Sequence, residues 1–290
     1  MQNPDIPSAS YKAMKLPDPK YIVSEDNHKY SIVLPTGETI GPLKSVTSIL
    51  KVLDKPALIG WAAREASGYF KTELLRLGSR ALTPETLEQI AKDAAGAHRR
   101  KAKDAADLGT ACHNIFEAII QNREPAEIPS ELTEPAAAFK MYRLQSDIEV
   151  VATEVAVASA NHRFGGRLDF LGYSKTRGGW GIGDYKTSGA IYSEHGLQVG
   201  GYAAAVEEMY DIKIAWSEIV RFSKKAPYES EARPVTNISA AMAGFLSALN
   251  MMRANEVKLI GEQIFTSAGK PQTVPTPAKS KKKPASPVGF

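Results

Sequence analysis

The chain has 290 residues, of which 43% are hydrophobic and 23% are charged, a composition typical of globular proteins. Its one cysteine, Cys112, excludes a disulfide framework and any multi-cysteine zinc or iron–sulfur cluster within the chain, and it favours a reducing, intracellular setting. No stretch of 18 apolar residues predicts a membrane span, and the first twenty residues lack the apolar core of a signal peptide.

The net charge of +4 does not by itself indicate a nucleic-acid-binding surface. Residues 269–290 contain five lysines and no acidic residue, so removing those five positive charges leaves −1 on the rest. The basic character therefore belongs to the C-terminal segment. The Pro- and Lys-rich composition of residues 267–290 predicts a disordered tail, and the polar residues 1–20 predict a flexible arm.

In chain order, the pattern begins with two short strands within residues 21–41, on either side of a turn at 35–38. Helices are predicted next from capping residues and apolar spacing. The first helix starts near Ser45 or Thr47, and the second runs from Pro56 to about Tyr69. A longer helical segment runs from Thr83 to Gln121, with breaks or close-packing points at Gly96 and Gly109. A further helix covers residues 134–145.

The second half of the chain is rich in β-branched residues and turn residues. Three strands over 150–157, 166–173 and 180–187 form a predicted meander, with a turn at 174–179. The elements that follow are a helix over 194–209, a strand over 214–222 and a helix over 238–255. This order predicts an α/β fold with a mixed central sheet flanked by helices.

Two acidic residues and a lysine are predicted to meet at one edge of this sheet. Asp184 and Lys186 are two apart on a strand, so their side chains share a face about 6–7 Å apart along the backbone. Asp169 lies on the preceding strand of the same hairpin. Carboxylates bind hard divalent cations, and a lysine can orient water, help to deprotonate it, or offset charge on a phosphate. An Asp-x-Lys alone is more typical of a solvated strand face.

Five segments occur in the order found in one nuclease family. They are GTACHNIFE at 109–117, Glu154 on a strand, GRLD at 166–169, GDYKTS at 183–188, and QVGGY at 198–202. The chain thus resembles the RecB-like branch of the PD-(D/E)xK nuclease superfamily, and most of all its phage and mitochondrial single-domain exonucleases. The resemblance covers roughly residues 109–205 and extends more faintly to 45–47 and 55–61.

The resemblance implies a site for one or two Mg²⁺ or Mn²⁺ ions, and the single cysteine excludes an iron–sulfur cluster. The implied metal ligands are His113, Asp169, Asp184 and the backbone carbonyl of Tyr185. The implied catalytic residues are Asp169, Asp184, Lys186, His113, Glu154, Gln198 and Tyr202. Glu154 has an alternative interpretation as an outward-facing strand carboxylate, and the pair Gln198 and Tyr202 has one as helix packing.

Several other polar residues have two interpretations. Glu117 is four residues after His113, on the same helix face. It is either a partner that orients the imidazole or one member of a His–Glu pair on the helix surface. Thr187 and Ser188 either donate to a phosphate or cap a turn. The basic residues Arg99, Arg100 and Lys101 either follow phosphates or form a solvated helical face. His162 and His195 are predicted to be surface residues.

The function that the resemblance implies is a metal-dependent DNA exonuclease of recombination, repair or replication. Its expected partners are single-stranded or double-stranded DNA ends and a single-strand-binding or annealing protein, with no membrane partner. The expected location is the cytoplasm of a bacterial or phage-infected host cell. Two alternatives stay open, an endonuclease of the same fold and a DNA-binding or recruitment protein that has lost catalysis.

The implied nuclease domain spans residues 21–266 with a restriction-endonuclease-like core. Within it, residues 43–125 form an N-terminal helical extension, residues 109–222 form the catalytic core, and residues 238–255 form a C-terminal helix.

Overall fold

The computed structural model describes residues 14–78, 82–123, 125, 127–226, 228–257 and 259. Most of the predicted N-terminal arm (residues 1–13) and the predicted tail at 267–290 lie outside the described residues. No helix in the described part of the chain is both long enough and apolar enough to cross a membrane.

Eight strands form one mixed sheet, which confirms the predicted α/β class. The strands are β1 (Ile22–Asp26), β2 (Lys29–Val33), β3 (Thr39–Ser45), β4 (Glu149–Ser159), β5 (Phe164–Ser174), β6 (Gly179–Lys186), β7 (Trp216–Phe222) and β8 (Ser230–Pro234). The main path runs β1-β2-β3-β5-β6-β7-β8, and β4 pairs with β5 off this path. The β3–β5 and β6–β7 pairs are parallel, and the other pairs are antiparallel.

Seven α-helices accompany the sheet in the described residues. They are α1 (Val46–Ile49), α2 (Pro56–Leu77), α3 (Pro84–Ala95), α4 (Ala97–Ile120), α5 (Thr133–Gln145), α6 (Ser193–Tyr210) and α7 (Ile238–Asn255). The predicted start at Thr83 is confirmed, because its side chain accepts a hydrogen bond from the N–H of Thr86, with Pro84 in the first turn. The Ser45 side chain caps α1 in the same way through the N–H of Ser48.

Two apolar clusters pack against the sheet and fix where the helices lie. One cluster includes Val199 of α6 and Phe245 of α7, and the other includes Phe116 of α4 and Phe139 of α5. Residues of β7 alternate between them, since Ile219 belongs to the first cluster and its neighbour Val220 to the second. This alternation places helices against both faces of the sheet.

Some predicted boundaries were wrong for local reasons. Residues 21–45 hold three strands where two were predicted within 21–41, because Asn27 and His28 both adopt positive φ (47° and 60°) and form an extra tight turn without a glycine. Helix α2 continues past Tyr69 to Leu77, where Gly78 ends it. Strand β8 was not predicted, because its largely exposed sequence lacks apolar alternation.

The two glycines of the long helical segment behave differently. Gly96 is the break that ends α3 and precedes α4. Gly109 lies inside α4 and does not break it, and a Cβ there would make an ordinary contact, 3.5 Å from Thr187 Oγ1.

Candidate metal and catalytic site

A polar cleft of about 640 Å³ contains the charged residues predicted for the site. Its walls come from α4, from strands β4, β5 and β6, from α6, and from the β1–β2 turn with the start of α1. Its titratable lining residues are His28, Tyr30, His113, Glu117, Glu154, Arg167, Asp169, Asp184, Lys186 and Tyr202. The fold thus joins residues from both halves of the sequence in one open cleft.

Three potential metal ligands converge within this cleft. One ligand atom from each of His113, Glu154 and Asp169 lies within 4.8 Å of the other two. His113 Nδ1 is 3.4 Å from Asp169 Oδ1 and 3.8 Å from Glu154 Oε1. Two carboxylates and one imidazole fit a divalent cation, with the oxygen atoms suited to Mg²⁺ or Mn²⁺. The compact ligand group therefore contains Glu154, which the metal-ligand prediction did not include.

Glu154 has an unusual backbone for a strand residue. The pairs Thr153↔Phe170 and Val155↔Leu168 flank it, yet its own φ is 49°, in the left-handed region that side chains disfavour. Its carbonyl accepts a hydrogen bond of 2.6 Å from Arg167 Nη1. Such outliers persist only where surrounding contacts hold them, and they are common at functional sites.

Asp184 and Lys186 form a buried ion pair beside the three converging residues. Lys186 Nζ lies 2.5 Å from Asp184 Oδ2, and Asp184 is only 1% exposed. That oxygen has no well-aligned hydrogen-bond donor among the described residues. The antiparallel β5–β6 pairing brings Asp169 alongside, and Asp169 Oδ2 accepts a hydrogen bond from the N–H of Tyr185. The carbonyl of Tyr185 as a ligand stays a prediction.

The pKa values show how strongly these groups interact. Burial lowers the pKa of His113, but the negative charge of Asp169 and a hydrogen bond to Glu154 outweigh burial and raise it to about 10. Burial raises the pKa of Asp184 to about 6, and Asp169 adds to the rise while Lys186 opposes it. For Asp169, burial acts upward, yet His113 and Lys186 lower its pKa overall. The carboxylates thus repel one another and depend on nearby positive charge.

Helix α6 brings the predicted pair Gln198 and Tyr202 into the cleft. Gln198 Nε2 donates a hydrogen bond of 3.1 Å to the Tyr202 hydroxyl, and Tyr202 is only 4% exposed. A Cβ at Gly166 would lie 2.8 Å from the Tyr202 ring. The glycine of the GRLD segment therefore permits the close approach of α6 to β5.

Three polar residues around the site make local contacts. Glu117 lines the cleft, but it accepts a hydrogen bond from Gln121 Nε2, whereas His113 Nδ1 faces Glu154 and Asp169. Ser188 donates a hydrogen bond to the carbonyl of Ala190, so its hydroxyl caps a turn, as in the second interpretation given above. Thr187 packs against Gly109 of α4, as described above.

The basic run on α4 makes contacts within the helical part. Arg100 donates to the carbonyl of Asp93 and lies 5.0 Å from the centre of the Tyr69 ring. Lys101 is paired with Glu65 at 2.6 Å. Arg99 is exposed. The structure therefore engages Arg100 and Lys101 in packing α4 against α2 and α3.

Sequence reasoning missed several features of the cleft. His195 was predicted to be a surface residue, yet it is 7% exposed and its Nδ1 accepts a hydrogen bond from the N–H of Tyr192 at the start of α6. Arg167 was noted only as part of a motif, and its partner Glu25 was not singled out. Arg167 lies two residues before Asp169 on a strand, so the sequence places both side chains on the same face of the sheet. Nothing local in the sequence points to Glu25.

No protein-family model matches this chain, and no curated protein is significantly similar to it.

Proposed function

We propose that the chain is a divalent-metal-dependent deoxyribonuclease of the RecB-like PD-(D/E)xK type, with its mixed sheet as a restriction-endonuclease-like core. One observation carries the proposal. His113, Glu154 and Asp169 converge within 4.8 Å in the cleft that also holds the Asp184–Lys186 pair. The five sequence segments of the resemblance supply all of these residues, and also Gln198 and Tyr202, which line the same cleft.

His113, Glu154 and Asp169 would hold the cation, and Asp184 and the Tyr185 carbonyl are the further predicted ligands. Mg²⁺ or Mn²⁺ bound there would supply Lewis-acid polarisation of a phosphate oxygen. The repulsion between Asp169 and Asp184 supports this assignment, because an added positive charge relieves it.

Lys186 provides a positive charge and hydrogen-bond donors next to the ligand group. Asp184 holds its ammonium group in place. An ammonium in this position can orient water and offset the negative charge that develops on a phosphate during hydrolysis. Gln198 and Tyr202 offer an amide and a hydroxyl to a substrate on the α6 side of the cleft.

The resemblance favours an exonuclease over an endonuclease. DNA ends are then the substrate, with roles in recombination, repair or replication and a single-strand-binding or annealing protein as partner. The resemblance also favours action in the cytoplasm of a bacterial or phage-infected cell.

A digestion assay tests the proposal directly. Wild type and Lys186→Ala are incubated with Mg²⁺ and either covalently closed circular DNA or end-labelled linear DNA. We expect wild type to degrade the linear DNA and spare the circular DNA, and Lys186→Ala to degrade neither.

Other outcomes decide between the alternatives. Cleavage of circular DNA assigns an endonuclease of the same fold. DNA binding without hydrolysis in Mg²⁺ or Mn²⁺ assigns a non-catalytic DNA-binding protein, and equal hydrolysis by Lys186→Ala removes this site from the reaction.

A further inference from the structure

The Arg167 side chain joins the N-terminal hairpin to the candidate ligand group. Its Nε and Nη2 atoms face the two carboxylate oxygens of Glu25 on β1, in a forked pairing. Its Nη1 donates 2.6 Å to the carbonyl of Glu154. One planar guanidinium therefore connects β1, β4 and β5 through three nitrogen atoms.

The contact with Glu154 is made to the backbone and not to the side chain. Arg167 therefore leaves the Glu154 carboxylate available to a cation. The contact also falls on the residue whose φ of 49° departs from the strand. Thr153 and Val155 keep their pairing with β5, so the departure is confined to one residue.

The Glu154 backbone conformation decides where its carboxylate points. In a regular strand, φ lies near −120° to −140°, and the side chain follows the alternation of its neighbours. The pairs on either side place Glu154 opposite Asp169, on the same face of the sheet, and the φ of 49° sets the direction of its side chain on that face, with Oε1 3.8 Å from His113 Nδ1. Such a conformation needs outside contacts to hold it, and Arg167 provides one.

Glu25 in turn fixes the guanidinium. Its side chain is largely buried, at 11% exposure, while that of Arg167 is 39% exposed. The β1–β2 turn also contacts this pair, since His28 Nδ1 lies 3.6 Å from Glu25 Oε1. Without Glu25, the exposed Arg167 side chain would be free to leave the Glu154 carbonyl for water.

We propose that the Glu25–Arg167 pair positions Glu154 as a metal ligand by holding its backbone in the left-handed conformation. Glu25 and Arg167 are positioning residues, and neither is a ligand itself. The inference rests on the proposed function, because it assumes that the site binds a divalent cation.

Mn²⁺ binding to the full chain without DNA, measured by titration calorimetry, tests the inference. Residues that orient metal ligands typically contribute 10–100-fold to metal affinity. We expect Glu25→Gln and Arg167→Lys to weaken Mn²⁺ binding by about that factor. Glu73→Gln is the matched control, since it removes an Arg–Glu pair of 2.8 Å with Arg76 on α2, and neither residue lines the cleft. Its affinity should equal that of wild type.

A double-mutant cycle separates positioning from general loss of structure. Arg167→Ala should weaken Mn²⁺ binding in the wild-type background but have no further effect in a Glu154→Ala background. Equal weakening in both backgrounds would overturn the inference, as would unchanged affinity in Glu25→Gln and Arg167→Lys.

Thermal unfolding of each variant identifies any that does not fold, and Arg167→Lys then carries the test. A wild type that binds no Mn²⁺ defeats the proposed metal site itself. If wild type binds Mn²⁺ and the Glu25 and Arg167 variants bind it equally well, only the positioning role is defeated.

Discussion

The sheet carries two acidic clusters that differ in how their charges are matched. The site cluster is His113, Glu154, Asp169, Asp184 and Lys186. The structural cluster is Tyr142, Asp147, Ser174, Arg177 and Glu218, together with Thr176, and lies near the end of β5 and the start of β7.

In the structural cluster, all four carboxylate oxygens of the two acids accept hydrogen bonds. Glu218 accepts from Tyr142 and, at 2.8 Å, from Arg177. Asp147 accepts from Arg177 at 3.1 Å and from the hydroxyls of Ser174 and Thr176. Carboxylates whose oxygen atoms all accept hydrogen bonds from the protein stabilise the fold without a bound ion.

In the site cluster, three carboxylates share two basic side chains. Asp184 Oδ2 contacts Lys186 without an aligned hydrogen bond, and Glu154 has a disfavoured backbone. The difference shows that acidic residues on one sheet can serve opposite purposes. Under the proposed function the crowded acids of the open cleft bind a cation, whereas the matched acids hold strands and α5 together.

Substitution of one acid from each cluster should separate the two purposes most strongly. We expect Asp169→Asn to lower the rate of DNA hydrolysis in Mg²⁺ on the order of 10²–10³-fold, because it removes a ligand and a charge from the site. Asp147→Asn is the matched control, and its initial rate on end-labelled linear DNA should stay within about twofold of wild type. If Asp169→Asn were fully active, the two clusters would not differ in their role in DNA hydrolysis.

Metal addition should stabilise the chain through the site cluster alone. At a Mn²⁺ concentration 100 times its Kd, mass action stabilises the folded state by about 2.7 kcal/mol. We therefore expect Mn²⁺ to raise the Tm of wild type and of Glu218→Gln, and EDTA to reverse the rise. Asp169→Asn should show little rise. A wild-type Tm that responds to neither Mn²⁺ nor Mg²⁺ would contradict the difference between the clusters.

Neutralising one acid in each cluster should affect the free energy of unfolding differently. Glu218→Gln leaves Arg177 without a buried counter-charge, so we expect a loss of about 2 kcal/mol in urea unfolding. Glu154→Gln removes a partly exposed carboxylate that lies 3.8 Å from His113 Nδ1, so we expect a smaller loss without metal, below about 1 kcal/mol. Equal losses in the two variants would show that Glu154 is also held as a structural acid.

His195 sharpens the comparison, because it is buried where the positive charge of Lys186 opposes its protonation. Burial first, and Lys186 second, lower the pKa of His195 to about 4 from the ordinary value of 6.5. Between these values the unfolded chain binds a proton that the folded chain does not, so stability falls as the pH drops below about 6.5. We expect this group to contribute a loss of about 1–2 kcal/mol between pH 7 and pH 5.

Urea unfolding of wild type and His195→Gln at both pH values measures this contribution. The variant should lose less stability than wild type on acidification. Parallel losses in the two proteins would mean that His195 is not kept neutral by its surroundings.

Much of the fold followed from local pattern, and the exceptions have physical reasons. The β4–β6 meander and the Thr83 helix start were predicted from β-branched runs and capping residues. The extra β1–β2 turn was missed, because it uses Asn27 and His28 where glycine is the usual signal. The burial of His195 was missed because burial depends on what packs over a residue.

The candidate site divides in a similar way. The period of two along a strand placed Asp184 and Lys186 on one face, and the order of five segments named the residues that line the cleft. The grouping of Glu154 with His113 and Asp169 was not predicted as a ligand set, because it depends on how α4 packs against the sheet.

The sequence by itself determined the α/β class and named the candidate site residues, because periodicity, capping, turn residues and short motifs act over a few neighbours. The tertiary structure alone decided which acids converge and which are matched. It pairs Glu25 with Arg167, 142 residues later in the chain, and it brings the Arg167 guanidinium to the Glu154 carbonyl. Contacts between residues far apart in sequence leave no local pattern, so only the folded chain reveals them.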